Sequence, residues 1–208
     1  MSIPEHVAIT TATADPGRRG VRVPVVAEAH AVGEVAQLYE RLRPQFFGLV
    51  PDVFKLVSSR PELLDVLVAG YESMFAGGDL PRTTKEAIAL TVAKTASCQY
   101  CATAHDTLLR VVTADPAVAA AIAGGELDDP ALPADLAAAV RLAQDITTHA
   151  YRITDERLDE LRRLGWNDSE ILEATWVACI FNAIVRLADT LGLVHLGQLN
   201  EPDGGDDR

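Results

Sequence analysis

Apolar residues recur at the helical period along most of this chain, and nowhere do they alternate as they would in a half-buried strand. Val32, Val35, Leu38, Tyr39 and Leu42 form a first stripe that Pro44 stops. A short segment over Val53–Val57 follows Pro51. Pro61 then stands where a first helical residue belongs, ahead of Leu63, Leu64, Leu67, Val68 and Tyr71, and Gly77-Gly78 closes that helix. Thr83 and Glu86 have capping-box spacing, which predicts a helix through Ile88, Leu90 and Val92. Ser97 interrupts it and is placed to cap a second helix running to about Val112. Asp115-Pro116 opens a short alanine-rich helix that Gly124-Gly125 ends. Helices are further expected over 134–151, after Thr154 with Leu158, Leu161 and Leu164 inward, and over 168–191 after an Asn167 cap. The expected fold is all-α, a bundle of about eight helices over 31–200, with an irregular N-terminal arm over 1–30 and a frayed acidic tail over 201–208.

Composition narrows the function. A net charge of −12 leaves no basic stripe to neutralise phosphates, which argues against nucleic acid as a partner. No uninterrupted apolar run reaches about 18 residues, so no membrane span is expected. Met1–Thr10 carries Glu5 and His6 and lacks a basic region before an apolar one, so a secretory leader is not expected and cytoplasmic residence is. In that compartment a disulfide is catalytic or sensing more often than structural.

Two of the chain's three cysteines stand in Ser97-Cys98-Gln99-Tyr100-Cys101-Ala102-Thr103-Ala104-His105. At about 100° per residue, with Cys98 at the origin, Cys101 falls near ~300° and His105 near ~340°, so all three share a helix face. Two thiols one turn apart can close a short disulfide, and an imidazole at i+4 from Cys101 can take its proton. A thiolate is the reactive form, and a helix N-terminus and a nearby histidine both favour it. Glu86 joins this group only if the chain turns between Thr95 and Ser97. In one unbroken helix it would lie ~18 Å from Cys98 along the axis.

Glu86, Cys98, Cys101 and His105 at these spacings resemble the signature of the alkylhydroperoxidase D-like proteins of the carboxymuconolactone decarboxylase superfamily. The strongest likeness spans Pro81–Arg110, and a softer one Phe181–Gly192. The resemblance implies an all-helical, often trimeric or hexameric fold with a cofactor-free dithiol site. Glu86 and His105 would relay protons to Cys98 and Cys101 in a site that holds no metal. The implied reaction reduces a peroxide, or a peroxiredoxin partner, with electrons from a dithiol such as a lipoyl group. Tyr100 stands where the best-studied branch has a second histidine, and tyrosine is a poor base at neutral pH.

Within that resemblance we expect Cys101 to attack the peroxide, Cys98 to resolve the sulfenic acid, and the donor to enter at Cys98 as the more exposed sulfur. Other readings of the same residues stay open. Cys98, Cys101 and His105, with Cys179 or another histidine, suit a zinc-stabilised scaffold. A redox sensor without turnover, a decarboxylase-type enzyme and plain core cysteines are the others. Thr83 and Glu86 offer no more than a capping box if the site does not form. Cys179 is expected to be packed in an apolar run, Tyr100 to be a pocket wall, and Asn182 and Arg186 to share a helix face. A weak repeat at an offset of 84 would align Thr83-x-x-Glu86 with Asn167-x-x-Glu170, and Cys98, Cys101 and His105 with Asn182, Val185 and Asp189.

Overall fold

The computed structural model describes residues 9–10 and 20–199. Among them are nine α-helices: α1 (Gly33–Leu42), α2 (Asp52–Lys55), α3 (Pro61–Phe75), α4 (Arg82–Thr95), α5 (Gln99–Val112), α6 (Pro116–Gly124), α7 (Ala134–His149), α8 (Asp155–Arg163) and α9 (Asp168–Thr190). The expected all-α class holds. Sheet structure among these residues is one antiparallel pairing, β1 (Ile9–Thr10) with β2 (Val25–Val26), too short to read as alternation. The chain divides into two compact units, one holding the described residues up to Tyr71 and from Ala188 onward, the other Glu72–Leu187. The tail over 201–208 lies outside the described residues.

In the first unit, residues 20–30 dock on their own chain. Val21, Val25 and Val26 are buried. The Val26 amide donates to Ser58 Oγ at 2.7 Å, and the Tyr39 hydroxyl donates to the Val26 carbonyl at 2.8 Å. Burial pushes the Tyr39 phenol up to about 12. Lys55 is buried between Glu28, at 2.7 Å, and Asp52, at 3.3 Å, which supply the counter-charges an interior ammonium needs.

The second unit is built around α4, whose residues Lys85–Ala93 are all buried. It packs against α5, α6 and α7. Ala87 and Leu90 meet Leu109, Val118, Ile122 and Val140 in one apolar cluster, and a second joins Ala138 and Leu142 to Leu161 and Ile171. Leu63 and Leu164, expected inside, are exposed at the ends of their stripes. By length and composition α9 is apolar enough to cross a bilayer, which the run-length criterion missed because isolated charges interrupt it. Ile171, Ala174, Val177, Ala178, Phe181 and Val185 turn one of its faces into the core.

Several caps are as expected. Asp115 Oδ1 accepts from the Ala117 amide at 2.9 Å, and Thr154 holds the N-cap position of α8, although its side chain makes no capping hydrogen bond. Asn167 and Glu170 form a reciprocal capping box, with Asn167 Oδ1 accepting at 3.0 Å and Glu170 Oε2 at 2.8 Å. The Thr83–Glu86 box is not formed. Here α4 begins at Arg82 after Pro81, and the Thr83 hydroxyl donates instead to the Val112 carbonyl at 3.2 Å. The repeat fails with it: Thr83 lies inside its helix, and the partners of the Cys98–His105 stretch fall within unbroken α9.

A glutamate from α9 fixes the entrance to α4. Glu173 Oε2 accepts from the Asp79 and Leu80 amides at 2.8 and 2.9 Å, and Lys85, buried, pairs with the same carboxylate and with the Gly77 carbonyl. Gly78 has φ +97°, and a Cβ there would collide with Glu173, so the turn requires glycine.

The turn between α4 and α5 differs from expectation in one residue. Ser97 is not a helix N-cap. It sits at φ +61° and ends α4 in a left-handed turn, with the Cys98 amide donating to the Ala93 carbonyl at 2.9 Å and the Ser97 amide to Lys94 at 3.0 Å. That is the paired bonding of a Schellman motif with serine where glycine is usual. The N-cap of α5 is Cys98 itself. Ser97→Gly is expected to raise stability by up to about 1 kcal/mol by relieving the left-handed penalty, and Ser97→Val to lower it by roughly 1–2 kcal/mol. Denaturant midpoints of the three proteins check the order.

Candidate active site

One tight turn carries both thiols into the interface between two helices. With Cys98 at N-cap and Gln99 as the first helical residue, Tyr100 and Cys101 are the second and third. N-cap and third-residue side chains are neighbours, the same geometry a capping box uses, so the two sulfurs lie at one helix start. The amides of this first turn have no intrahelical acceptors and favour an anion there. Both cysteines are reduced.

Because the chain reverses at Ser97, α4 lies against α5 and Glu86 reaches His105. His105 Nδ1 and Glu86 Oε2 are 2.6 Å apart, a short charge-assisted hydrogen bond. Two bare acceptors would not approach so closely, so the network assigns a proton to Nδ1, and Nε2 is the ring nitrogen left to exchange one. Arg82, one turn before Glu86, holds the other oxygen, with Nε donating to Oε1 at 2.7 Å and Nη2 at 2.6 Å. The ring of His105 is flanked by Phe75, stacked at 5.9 Å, and Phe181, edge-on at 4.5 Å. The Arg82 guanidinium lies 4.5 Å over the Phe75 ring.

Glu86 is 0% exposed. Burial alone would push its carboxyl up, but the His105 charge and hydrogen bond and the Arg82 guanidinium outweigh that and hold it below its ordinary value of 4.5. A carboxyl more acidic folded than unfolded contributes stability above its unfolded pKa and loses it as pH falls through the folded one.

The four residues singled out in the sequence, Glu86, Cys98, Cys101 and His105, are thus gathered along the α4–α5 interface, and Tyr100 is buried beside them on the first turn of α5. Two expectations need correcting. Cys98 is not the more exposed sulfur: it is 0% exposed and Cys101 2%, because the N-cap is enclosed by the turn that delivers it. Cys179 is exposed, not packed, since its position on α9 faces away from the buried stripe. It therefore does not complete a ligand set with the buried pair, and among the described residues no group of three or more His, Cys, Asp or Glu side chains is arranged to hold a metal ion. Asn182 and Arg186 do share a face. Arg186 donates to the Asn182 carbonyl at 2.7 Å, while Asn182 Nδ2 donates to Thr147 Oγ1 at 2.9 Å and ties α9 to α7.

Three residues of the site escaped the sequence reading. Arg82 was legible as an i, i+4 partner of Glu86 on one helix. Phe75 and Phe181 come from α3 and α9, and no local spacing marks them.

Residues 61–145 match the carboxymuconolactone decarboxylase family. An alkyl hydroperoxide reductase of Mycobacterium tuberculosis (strain ATCC 25618 / H37Rv) is 34% identical over 99 residues, 48% of this chain. That stretch is 28% of the relative, so the chain spans little more than a quarter of its length. Among solved structures, a peroxidase-related protein from Ralstonia eutropha JMP134 with an alkylhydroperoxidase core superposes with TM-score 0.75 at 23% identity, covering 83% of this chain and 90% of that one. A peroxidase-related protein from Silicibacter sp. TM1040 gives 0.70 at 24% identity, covering 92% of each chain. The debrominase Bmp8 gives 0.72 at 16%, covering 85% and 92%. At these identities the structural likeness speaks for the fold.

Glu86→Gln is expected to cost roughly 3 kcal/mol at neutral pH, since Arg82 and His105 lose a buried counter-charge. The deficit against wild type should begin to shrink as pH drops below about 4.5, where the unfolded chain's Glu86 takes up its proton, and should go on shrinking until the lower folded value is passed. Denaturant melts at pH 7, 5 and 3.5 measure it.

Proposed function

We propose that this chain, an alkylhydroperoxidase D-like member of the carboxymuconolactone decarboxylase superfamily, is a dithiol peroxidase that works through reversible joining of Cys98 and Cys101. One observation carries the reading: a pair of thiols at the N-cap and third residue of α5, the second of them one turn from a histidine whose Nδ1 is fixed by a buried carboxylate. The alkyl hydroperoxide reductase relative and the peroxidase-related fold support peroxide chemistry in general terms.

Cys101 gives its proton to Nε2 of His105, one turn along the same helix. The thiolate attacks the terminal peroxide oxygen, the O–O bond breaks, and the departing alkoxide takes the proton back from the imidazolium as an alcohol. Cys101 is left as a sulfenic acid. The Cys98 thiol then attacks that sulfur, and water leaves as the Cys98–Cys101 disulfide forms. Two electrons and two protons from an external dithiol, of lipoyl type or on a peroxidase partner, reopen it by thiol–disulfide exchange. The reading places the protein in a reducing compartment such as the cytoplasm.

Burial constrains the route. Since neither sulfur is exposed, peroxide and donor reach them when the first turn of α5 opens from its cover. Small reagents should therefore react faster than bulky ones of equal intrinsic reactivity.

The test is peroxide-dependent oxidation of reduced lipoamide. Cys101→Ser is expected to abolish turnover, losing at least ~100-fold, and Cys98→Ser to stop after one oxidation with a sulfenic acid trappable at Cys101. Equal rates for wild type and Cys101→Ser would remove the enzymatic reading. Trapping only at Cys98 would reverse the order of the two thiols.

A further inference from the structure

Arg82 has no assigned part in the dithiol chemistry, yet its placement is specific. It is the first residue of α4, one turn before Glu86. Its guanidinium spans from the surface, where the side chain is 36% exposed, to a carboxylate that is fully buried. Two of its nitrogens converge on Oε1, leaving Oε2 for His105. The face of Phe75 supports the guanidinium plane, and the same ring stacks on His105. One aromatic thus braces both hydrogen-bonding partners of one carboxylate.

We propose that Arg82 is a positioning residue of the thiol site: its two-pronged hold on Glu86 Oε1 keeps Glu86 an anion aimed at His105 Nδ1, and thereby keeps Nε2 the nitrogen that takes up the thiol proton. This rests on the dithiol reading for its purpose but not for its geometry. The charged groups bearing on Glu86 are few. Arg82 lies on its own helix, and His105 comes from α5. From α3 and α9 the site receives Phe75 and Phe181. Lys85, next in sequence to Glu86, is committed to Glu173 and the Gly77 carbonyl. From α6 and α7 the packing around α4 is apolar, through Val118, Ile122 and Val140. Take away Arg82 and the carboxylate keeps one partner that is charged only when protonated. Desolvation then favours the neutral acid, which no longer fixes the imidazole tautomer.

A purely structural arginine would lower stability without moving the pH at which the thiol becomes reactive. The experiment is therefore the pH dependence of Cys101 alkylation by iodoacetamide, in a Cys98→Ser, Cys179→Ser background, for Arg82, Arg82→Gln and Arg82→Lys. Arg110→Gln, which removes a surface pair with Asp106, is the control. Arg82→Gln is expected to move the acid limb up by about one pH unit, a roughly tenfold slower alkylation at a fixed pH on that limb. Arg82→Lys should recover most of the shift, and Arg110→Gln should leave the limb in place. A limb unmoved in Arg82→Gln overturns the proposal, as does an equal shift in Arg82→Lys and Arg82→Gln. If Arg82→Gln does not fold, the His105 ring 15N shifts of the wild type decide: a protonated Nδ1 with bare Nε2 near neutral pH supports the assignment, and the opposite tautomer overturns it. Alkylation uses neither peroxide nor donor. A shifted limb with no lipoamide turnover would sink the peroxidase reading alone, and turnover with an unmoved limb would sink Arg82 alone.

Discussion

Glu86 is a carboxylate with no access to water, in the middle of a helix buried along most of its length. An isolated anion there would cost many kcal/mol, so its neighbours are dictated. Arg82 must come from the turn before it and His105 from the helix opposite. The second demand requires that α4 end soon after Glu86 and that the chain reverse at once. Ser97 does this from the left-handed region, and the same reversal makes Cys98 an N-cap. The thiols stand where they do because the helix carrying His105 has to begin there. The start of α4 is set with similar care, by the Glu173 carboxylate that takes the Asp79 and Leu80 amides and the Lys85 charge.

Much of this was legible in the sequence because it is local. The period of the apolar residues, the Asp115-Pro116 and Asn167-x-x-Glu170 starts and the Gly124-Gly125 stop each act within a few residues of where they are read. The face shared by Cys98, Cys101 and His105 follows from helix geometry alone. What failed did so where two local signals competed or where the cause was distant. Thr83-x-x-Glu86 has the spacing of a capping box, but Glu86 has stronger partners in Arg82 and His105, and the helix starts earlier. Ser97 was legible as a break and misread as an N-cap, since serine is common there and rare at φ +61°. Exposure was the least legible quantity. Cys98 is enclosed by a turn and Cys179 is turned outward by the rotation of α9, and neither fact is written near the residue.

The fold by itself decides little about chemistry. The same architecture is shared, at 16–24% identity, with peroxidase-related proteins and with a debrominase. What narrows the reading is the electrostatics of one face. A thiol in an apolar setting resists ionisation, because a lone thiolate would be as costly there as a lone carboxylate. The arrangement removes that obstacle through charge balance. Arg82 and Glu86 offset one another's charge. In the proposed mechanism Cys101 passes its proton to Nε2, so a thiolate and an imidazolium appear together and the net charge of the site does not change. On that reading the imidazolium has Glu86 as a counter-anion, and the thiolate has the open amides of the first turn of α5. Thiolate formation in that mechanism redistributes charge within the site and imports none, so the thiol can ionise before the first turn of α5 opens to admit peroxide.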